Sequence, residues 1–378
     1  MTLLMSSRCT GGEPMQRPSA IGVHIYSGAF TLGIAKRFNI LAQLEEGPWG
    51  AETFKLNFLR TPHYLDVSAW PLTALASQKP SMVFANPPCA CWSPIGAKLG
   101  DKDPRFIYTK NSFDVAMALD PEIFVMESVP RAWSASPGGG KNAYSLLSEE
   151  AGRRGYQTTV LLTNALLHGG KQSRERFHFI VHRPELSIPT PRPGVFPSVN
   201  EVIGDLADRA VFLGEAVPLV PNHVIEREKD KYNVVFPELR QGERWNDAAE
   251  RLLGRGVEAG RGRFISYRLI GDVPCGTIAD VNALIHPTQA RHLTVREGAR
   301  LCGYPDDFVF AVDAKGRAQA SDVTQAVLPT MGEYLGGICA RSLDNNDAQP
   351  GELNLVDFRP LARVQLKERK EAWKSSRR

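Results

Sequence analysis

A four-residue apolar run, Met82–Ala85, is stopped by two prolines and followed at once by the thiol of Cys89. The run is typical of a short buried strand. Pro87 and Pro88 cannot continue it, because proline has no backbone N–H and a fixed φ. A cysteine at this point lies outside the C-terminal end of a sheet strand, where open α/β sheets place ligands and chemistry. Cys89 is therefore either a nucleophile on a rigid turn or a buried structural thiol, the commoner fate of a lone cysteine.

Strand-like runs and helical patterns alternate through the first 184 residues, which predicts an α/β fold. The chain opens with a strand over 21–26, a turn at Gly28 and a helix over 30–37, an order that suits a nucleotide-like ligand. Further strands are expected at 40–44, near 63–65, at 122–126, at 157–162 and at 177–181.

Acidic residues follow three of these strands. Glu45 ends the second strand roughly 20 residues after the glycine turn, where an acid suits a ribose hydroxyl pair. A solvated surface carboxylate explains Glu45 equally well. Asp66 follows the third strand, and Glu127 closes the strand at 122–126, on the same sheet edge as Cys89.

Composition excludes some classes of protein. The 378 residues leave room for two domains, and the net charge of +4 permits nucleic acid as a partner without requiring it. Six cysteines without zinc-ligand spacing predict reduced thiols in a cytoplasmic protein with no bound metal. No apolar run approaches the length of a membrane span, so we expect no membrane partner.

A second composition begins near residue 184, where prolines crowd a short stretch. From 199 to about 265 the chain is polar and rich in charges. This pattern fits a nucleic-acid-facing surface or a mixed-charge solvated face, and composition alone favours the solvated face. Beyond it, Thr294 and Glu297 have the spacing of a helix capping box, and a last helix is expected over 322–340.

Taken together, the motifs resemble those of the cytosine-5 DNA methyltransferases, in the family's order over most of residues 21–340. The matching segments are Tyr26-Ser27-Gly28 with Phe30, Glu45 and Asp66, Pro87-Pro88-Cys89 with Trp92-Ser93, Glu127-Ser128-Val129, Gln172-Ser173-Arg174-Glu175-Arg176, and Arg291-His292-Leu293-Thr294-Val295-Arg296-Glu297. Each match is weak by itself, and their joint order carries the resemblance.

The resemblance implies a Rossmann-like, S-adenosylmethionine-dependent methyltransferase fold with a mixed sheet and a smaller target-recognition domain. The expected divisions are a disordered tail at 1–20, the main catalytic part at 21–184, the recognition domain at 185–285, the returning catalytic part at 286–345 and a basic tail at 346–378. The enzyme would act as a monomer on double-stranded DNA, in the cytoplasm of a bacterium or phage-infected cell.

The resemblance also implies roles for individual residues. The expected catalytic residues are Cys89, Glu127, Arg174 and Arg176. The expected residues for binding S-adenosylmethionine are Tyr26, Gly28, Phe30, Glu45, Asp66, Pro88, Gln325 and Val327. The expected DNA contacts are Ser93, Gln172 and Arg296.

The implied chemistry is addition of a thiolate to cytosine carbon 6, which makes carbon 5 nucleophilic towards a methyl sulfonium. Glu127 would protonate the N3 edge and Arg176 would bind the ring carbonyl of a base flipped out of the duplex. Cys91 is the rival thiol, since two residues along an extended segment it would face the same way as Cys89. The double proline directly before Cys89 favours Cys89.

Four departures from the family pattern leave alternatives open. The cofactor loop has only Gly28-Ala29 where the family has Gly-x-Gly-Gly, Ser128 replaces an Asn, Lys171 replaces a Pro, and Thr324-Gln325 replaces Gly-Asn. One alternative is therefore a modified S-adenosyl cofactor and transfer of another group. A cytosine methyltransferase acting on RNA and a catalytically silent DNA-binding homologue are the others.

Overall fold

A computed structural model of the chain describes residues 17–45, 47–48, 50–58, 63–64, 77–92, 102–134, 142–192, 194–213, 218–225, 235–253, 266–315, 317–318, 320–351 and 353–376. Most of the tail expected at 1–20 lies outside these residues. The first strand begins at Ser19, two residues before the expected start of the fold.

The strands, numbered along the chain, are β1 Ser19–Val23, β2 Asn39–Glu45, β3 His63–Tyr64, β4 Met82–Ala85, β5 Ile123–Ser128, β6 Gln157–Asn164, β7 Glu175–His182, β8 Val211–Phe212, β9 Val224–Ile225, β10 Tyr267–Arg268, β11 Leu284–Ile285 and β12 Leu353–Asp357. All seven strands expected from the sequence are present, with boundaries shifted by at most three residues.

The α-helices are α1 Ala29–Ile34, α2 Ala51–Phe58, α3 Phe106–Leu119, α4 Pro130–Ser134, α5 Ala143–Arg153, α6 Val199–Ile203, α7 Trp245–Leu253, α8 Val295–Leu301, α9 Ala320–Thr324, α10 Pro329–Ser342 and α11 Arg359–Ser375. Among the residues described, none of these helices has both the length and the hydrophobicity to span a bilayer.

Eight strands form one mixed sheet in the order β12-β6-β7-β5-β4-β1-β2-β3. Every neighbouring pair is parallel except the two that involve β7, which runs antiparallel to both β5 and β6. The C-terminal ends of β1, β2, β4 and β5 therefore meet at one edge of the sheet, and β7 begins at that same edge. We call this the active edge. The expected Rossmann-like fold with a mixed sheet is confirmed.

Both faces of the sheet are covered, which is why its central strands read as continuous apolar runs. In β4, Met82 and Phe84 pack on one face with the core that includes α1 and α10. Val83 and Ala85 face the opposite core, which includes α3 and α5. The alternation follows from the two-residue period of a strand.

The expected basic tail at 346–378 is a wrong prediction. Leu353–Asp357 adds an eighth strand that pairs in parallel with β6, and Arg359–Ser375 forms a 17-residue helix. The strand escaped notice because it is an edge strand with mostly exposed side chains. Its apolar residues, Leu353, Leu355 and Val356, form too short a pattern to predict a strand at a mostly exposed edge.

The single helix expected over 322–340 is two helices, α9 and α10. Pro329 occupies the first turn of α10, where its missing N–H costs nothing. Leu328, directly before it, is extended with ψ 138°, as a residue preceding proline usually is.

Residues 185–285 contain only short elements, including the pairs β8–β9 and β10–β11. A small apolar cluster joins Val235, Phe236, Leu239 and Ala248 with Ile285. Of the cations in the charge-rich stretch from 199 to about 265, Arg251 pairs with Glu243 at 3.0 Å. Several others lie outside the described residues, namely Arg227, Lys229, Lys231, Arg255, Arg261 and Arg263. The boundaries of a recognition domain stay a prediction.

The capping box at the start of α8 is confirmed, since Thr294 and Glu297 exchange side-chain-to-backbone hydrogen bonds. Arg291 makes two contacts to the Glu297 carboxylate, at 2.7 and 2.8 Å. Arg296, expected to contact DNA, is instead fully buried. Its guanidinium donates to the carbonyls of residues 221, 305 and 308, so its charge is used inside the fold.

Replacing Arg296 by Ala should destabilise the protein without weakening DNA binding by the folded fraction. Three backbone carbonyls lose their donor, one in a buried and two in part-buried hydrogen bonds, and each unsatisfied buried polar group costs about 1–3 kcal/mol. We expect a loss of at least ~3 kcal/mol in the free energy of unfolding, measured by urea denaturation. Arg153→Ala, at an exposed arginine, is the control. Unchanged stability with weaker DNA binding would restore the role as a DNA contact.

Candidate active site

Cys89 opens a short 3₁₀ turn, Cys89–Cys91, four residues beyond the end of β4. Pro88 precedes it with φ −51° and ψ 119°, and the amide of Trp92 closes the turn by donating to the Cys89 carbonyl at 2.9 Å. The thiol is half-buried at the active edge. The prolines and the turn thus hold it in one place before any ligand binds.

Cys91 does not share this position. A 3₁₀ helix advances about 120° per residue, so residues two apart point in different directions, unlike residues two apart in a strand. The Cys91 side chain is fully buried. Burial, with a smaller contribution from Asp103, raises its pKa to about 12. The structure therefore favours Cys89 over Cys91.

Glu127 lies on β5, the strand next to β4, and its carboxylate is held from two sides. Asn86 donates its amide to Oε2 at 2.6 Å, and Nε of Arg176 lies 2.7 Å from Oε1. Arg176 reaches it because β7 pairs with β5 in antiparallel register. Asn86 was not among the predicted site residues, although its place at the end of β4, on the same edge, was a usable signal.

Arg174 is buried, and its two terminal nitrogens donate to the carbonyls of Ile278 at 3.3 Å and Thr324 at 2.8 Å. Burial lowers its pKa to about 10, with a further contribution from Arg176. The group is still charged at neutral pH. It therefore adds positive charge near Cys89 and Glu127 while its hydrogen bonds join two distant segments to the site.

The ionisable groups of this cluster influence one another. Burial is the largest cause that raises the pKa of Cys89, Glu127 raises it further, and the two arginines lower it. Burial also raises the pKa of Glu127, again against Arg176 and Arg174. A neutral Glu127 can donate a proton to a ring nitrogen, and the arginines favour the thiolate that a nucleophilic role requires.

The loop between β1 and α1 turns without the glycines expected of it. His24, Tyr26 and Gly28 all have positive φ, at 54°, 58° and 90°. A side chain in this region costs about 1–2 kcal/mol, so the loop needs compensation. Glu45 supplies it, because its Oε1 accepts the amides of Ile25 at 2.5 Å and Tyr26 at 3.1 Å.

The other residues predicted to bind the cofactor differ in their exposure to solvent. Phe30 is fully buried and packs edge-on against Phe84 at 5.0 Å, so its ring belongs to the core, and its role in binding the cofactor stays a prediction. Val327 is also in the core, 3% exposed, while Gln325 is exposed. Gly28 is needed as glycine, because a Cβ there would lie 2.5 Å from the ring of Phe58.

Two predicted site residues, Asp66 and Ser93, lie outside the described residues. Gln172, expected to contact DNA, is fully buried. Its amide donates to Sγ of Cys302 at 3.0 Å and accepts the Ile278 amide at 3.0 Å. The prediction for Gln172 is therefore wrong, since the side chain is used inside the protein.

Asp322 was missed by the sequence reasoning. Its carboxylate accepts the Thr53 hydroxyl at 2.6 Å, and its carbonyl accepts the Ser27 hydroxyl at 2.8 Å. It thus fastens the returning C-terminal segment to the loop between β1 and α1. The three residues are far apart in sequence and belong to no local pattern.

A family model for C-5 cytosine-specific DNA methylase matches residues 23–340 of the chain. The chain belongs to this family. The matched range covers all the strands from β2 to β11, the candidate nucleophile and the acid–arginine pair. As a member of the C-5 cytosine-specific DNA methylases, the protein is a DNA cytosine-5 methyltransferase, and S-adenosylmethionine is its cofactor.

The chain is also similar to individual methyltransferases. The Type II methyltransferase M1.HphI of Haemophilus parahaemolyticus is 30% identical over 330 residues, which cover 83% of this chain and 84% of the relative. The Type II methyltransferase M.DdeI of Desulfomicrobium norvegicum is 26% identical over 75% of this chain and 77% of its own.

Solved structures show the same fold. An E. coli prophage protein described as a DNA modification methyltransferase has a TM-score of 0.67 at 19% identity, over 87% of this chain and all of its own. The Dnmt2 methyltransferase of S. pombe has a TM-score of 0.57 at 13% identity, over 87% of this chain and 99% of its own.

The described residues fit the adenosine part of S-adenosylmethionine. Glu45 holds a carboxylate at the active edge, and a carboxylate at the end of the second strand is the group that accepts ribose hydroxyls in this type of fold. The neighbouring loop between β1 and α1 is itself shaped by that carboxylate. The role of Glu45 and of the loop from His24 to Gly28 in binding the cofactor stays a prediction.

Replacing Arg176 by Gln should raise the pKa of Cys89, because Arg176 is the first of the groups that lower it. The alkylation rate of the Cys89 thiol by iodoacetamide, followed against pH, should then rise at higher pH than in the wild type. Arg176→Lys keeps the charge and should shift the curve less. An unchanged curve in the Gln variant would mean that Arg176 does not act on the thiol.

Proposed function

We propose that Cys89, Glu127 and Arg176 form the cytosine pocket of this DNA methyltransferase. The observation that supports this is their convergence at the active edge: the thiol follows β4, the acid lies on β5, and the arginine lies on β7 and pairs with the acid at 2.7 Å. These three groups are distant in sequence, and the ion pair that Glu127 needs as a buried acid does not by itself require a thiol beside it.

The thiolate of Cys89 adds to carbon 6 of the target cytosine, forming an S–C bond and placing electron density on carbon 5. Glu127 donates its proton to N3, which relieves the negative charge that develops on the ring. When bound, S-adenosylmethionine supplies the electrophilic methyl group. A base then takes the carbon-5 proton, the S–C bond breaks and releases Cys89 as a thiolate, and N3 returns its proton to Glu127.

Arg176 has two roles in this proposal. It orients Glu127 through the ion pair, and its guanidinium provides donors for the ring carbonyl. Arg174 acts through its charge, since its own hydrogen bonds go to backbone carbonyls. Asn86 completes the pocket as a positioning residue that holds the second oxygen of Glu127.

A cytosine inside a duplex cannot reach a thiol at this depth, so the substrate is a base flipped out of double-stranded DNA. We assign reading of the target sequence to residues 185–285, the segment with short elements beside the active edge. The relatives named as Type II methyltransferases support a restriction-modification role. We further propose a cytoplasmic monomer, and the free thiols of the five described cysteines agree with a reducing compartment.

Replacing Cys89 by Ala should abolish methyl transfer, and replacing it by Ser should reduce it by several orders of magnitude, because an alcohol is a far weaker nucleophile than a thiolate. The measurement is mass spectrometry of nucleosides from duplex DNA incubated with enzyme and S-adenosylmethionine. It reports the base modified and the mass added. Cys91→Ala is the matched control and should keep activity.

The same assay separates the remaining alternatives. Modification of transfer RNA in preference to duplex DNA would favour RNA as the substrate. Absence of 5-methylcytosine with the unmodified cofactor would favour another transferred group. Duplex DNA carrying 5-fluorocytosine should trap a covalent adduct with the wild-type protein but not with Cys89→Ala, and retained transfer in Cys89→Ala would refute the assignment.

A further inference from the structure

Helix α11, which the sequence suggested to be part of a tail, carries a segregated charge pattern. Its 17 residues contain six cations and two carboxylates. At about 100° per residue, five of the cations lie within one flank of the helix, and both carboxylates lie outside it. The five are Arg359, Arg363, Lys367, Lys370 and Lys374. We call this flank the basic flank.

The neighbouring face of α11 docks the helix onto the protein. Ala362 is fully buried and packs with Leu366 in a small cluster behind the end of β6. Farther along, Arg369 donates to the Phe196 carbonyl at 2.8 Å. Trp373 approaches Gly242, where a Cβ would lie 4.0 Å from its ring. The helix therefore extends from the catalytic sheet to the segment assigned to recognition.

Docking through this face fixes the direction of the basic flank. Arg363, on that flank, contacts both carboxylate oxygens of Glu175 at 2.6 Å. Glu175 is the first residue of β7, at the active edge. Successive side chains of a strand point to opposite faces, so Arg363 approaches β7 from the face opposite to Arg176, and the flank lies beside the active edge.

A continuous set of contacts leads from the helix to the pocket. Arg176 donates to the carbonyl of Glu175 at 2.8 Å and pairs with Glu127 at 2.7 Å. Arg363 of the basic flank is therefore connected to the catalytic acid through Glu175 and Arg176. Beyond Arg363, the side chains of Lys367, Lys370 and Lys374 are exposed.

We propose that the basic flank of α11 binds the sugar–phosphate backbone of the substrate duplex beside the flipped cytosine. This rests on the proposed function, which places DNA at the active edge. From Arg363 to Lys374 the flank extends about 16 Å, enough for two or three phosphates at roughly 7 Å spacing along one strand. Lysine contacts to phosphate add affinity without reading sequence. Arg363 neutralises Glu175, which would otherwise repel DNA at this place.

The test is the triple variant Lys367→Gln/Lys370→Gln/Lys374→Gln. Duplex DNA binding is measured by fluorescence anisotropy at several salt concentrations, and methyl transfer is measured at saturating DNA. The slope of log K against log salt should decrease in magnitude by about 0.9 for each lost phosphate contact. We expect two to three contacts to be lost. The affinity at low salt should fall about tenfold or more, while kcat stays near the wild-type value.

A matched control, Lys36→Gln/Lys79→Gln/Arg153→Gln, removes the same charge ahead of β2, β4 and β6, at the opposite edge of the sheet. It should leave the salt slope unchanged. Equal slopes and affinities for the two triple variants would overturn the proposal. Failure of the proposed function itself would be visible separately, because the wild-type protein would then transfer no methyl group to DNA.

Discussion

The reversed direction of β7 is the constraint on which the rest of the site depends. In an all-parallel sheet, a strand between β5 and β6 would end at the active edge and begin at the far side. Because β7 is antiparallel to both neighbours, its first residues lie beside the last residues of β5. Arg176 then meets Glu127, a buried acid that would be costly without a partner.

The buried position of this ion pair affects the protonation of the catalytic groups. Burial favours the neutral forms of both Glu127 and Cys89, and the arginines oppose it. Burial therefore favours Glu127 as a proton donor, while the arginines act on Cys89 in the direction of the thiolate. Among the residues described, no cluster of His, Cys, Asp and Glu could hold a metal ion.

The loop that faces the cofactor is stabilised by distant residues instead of by its own sequence. The usual glycines are missing, and the left-handed backbone at His24 and Tyr26 is held by Glu45 from the neighbouring strand. Asp322 ties Ser27 of the loop to the returning segment. In this chain the left-handed turn is therefore held by side chains from β2 and from the returning segment.

The sequence by itself determined the alternation of strands and helices, the capped helix at Thr294, and the thiol, acid and arginine at strand ends, because each depends on local backbone chemistry. Tertiary structure decided which polar side chains are accessible: Arg296 and Gln172 are buried, and no local pattern distinguishes a buried arginine from one that binds phosphate. It also decided that the C-terminal segment is a strand and a helix, since an edge strand and an exposed basic helix acquire their stability from the sheet against which they pack.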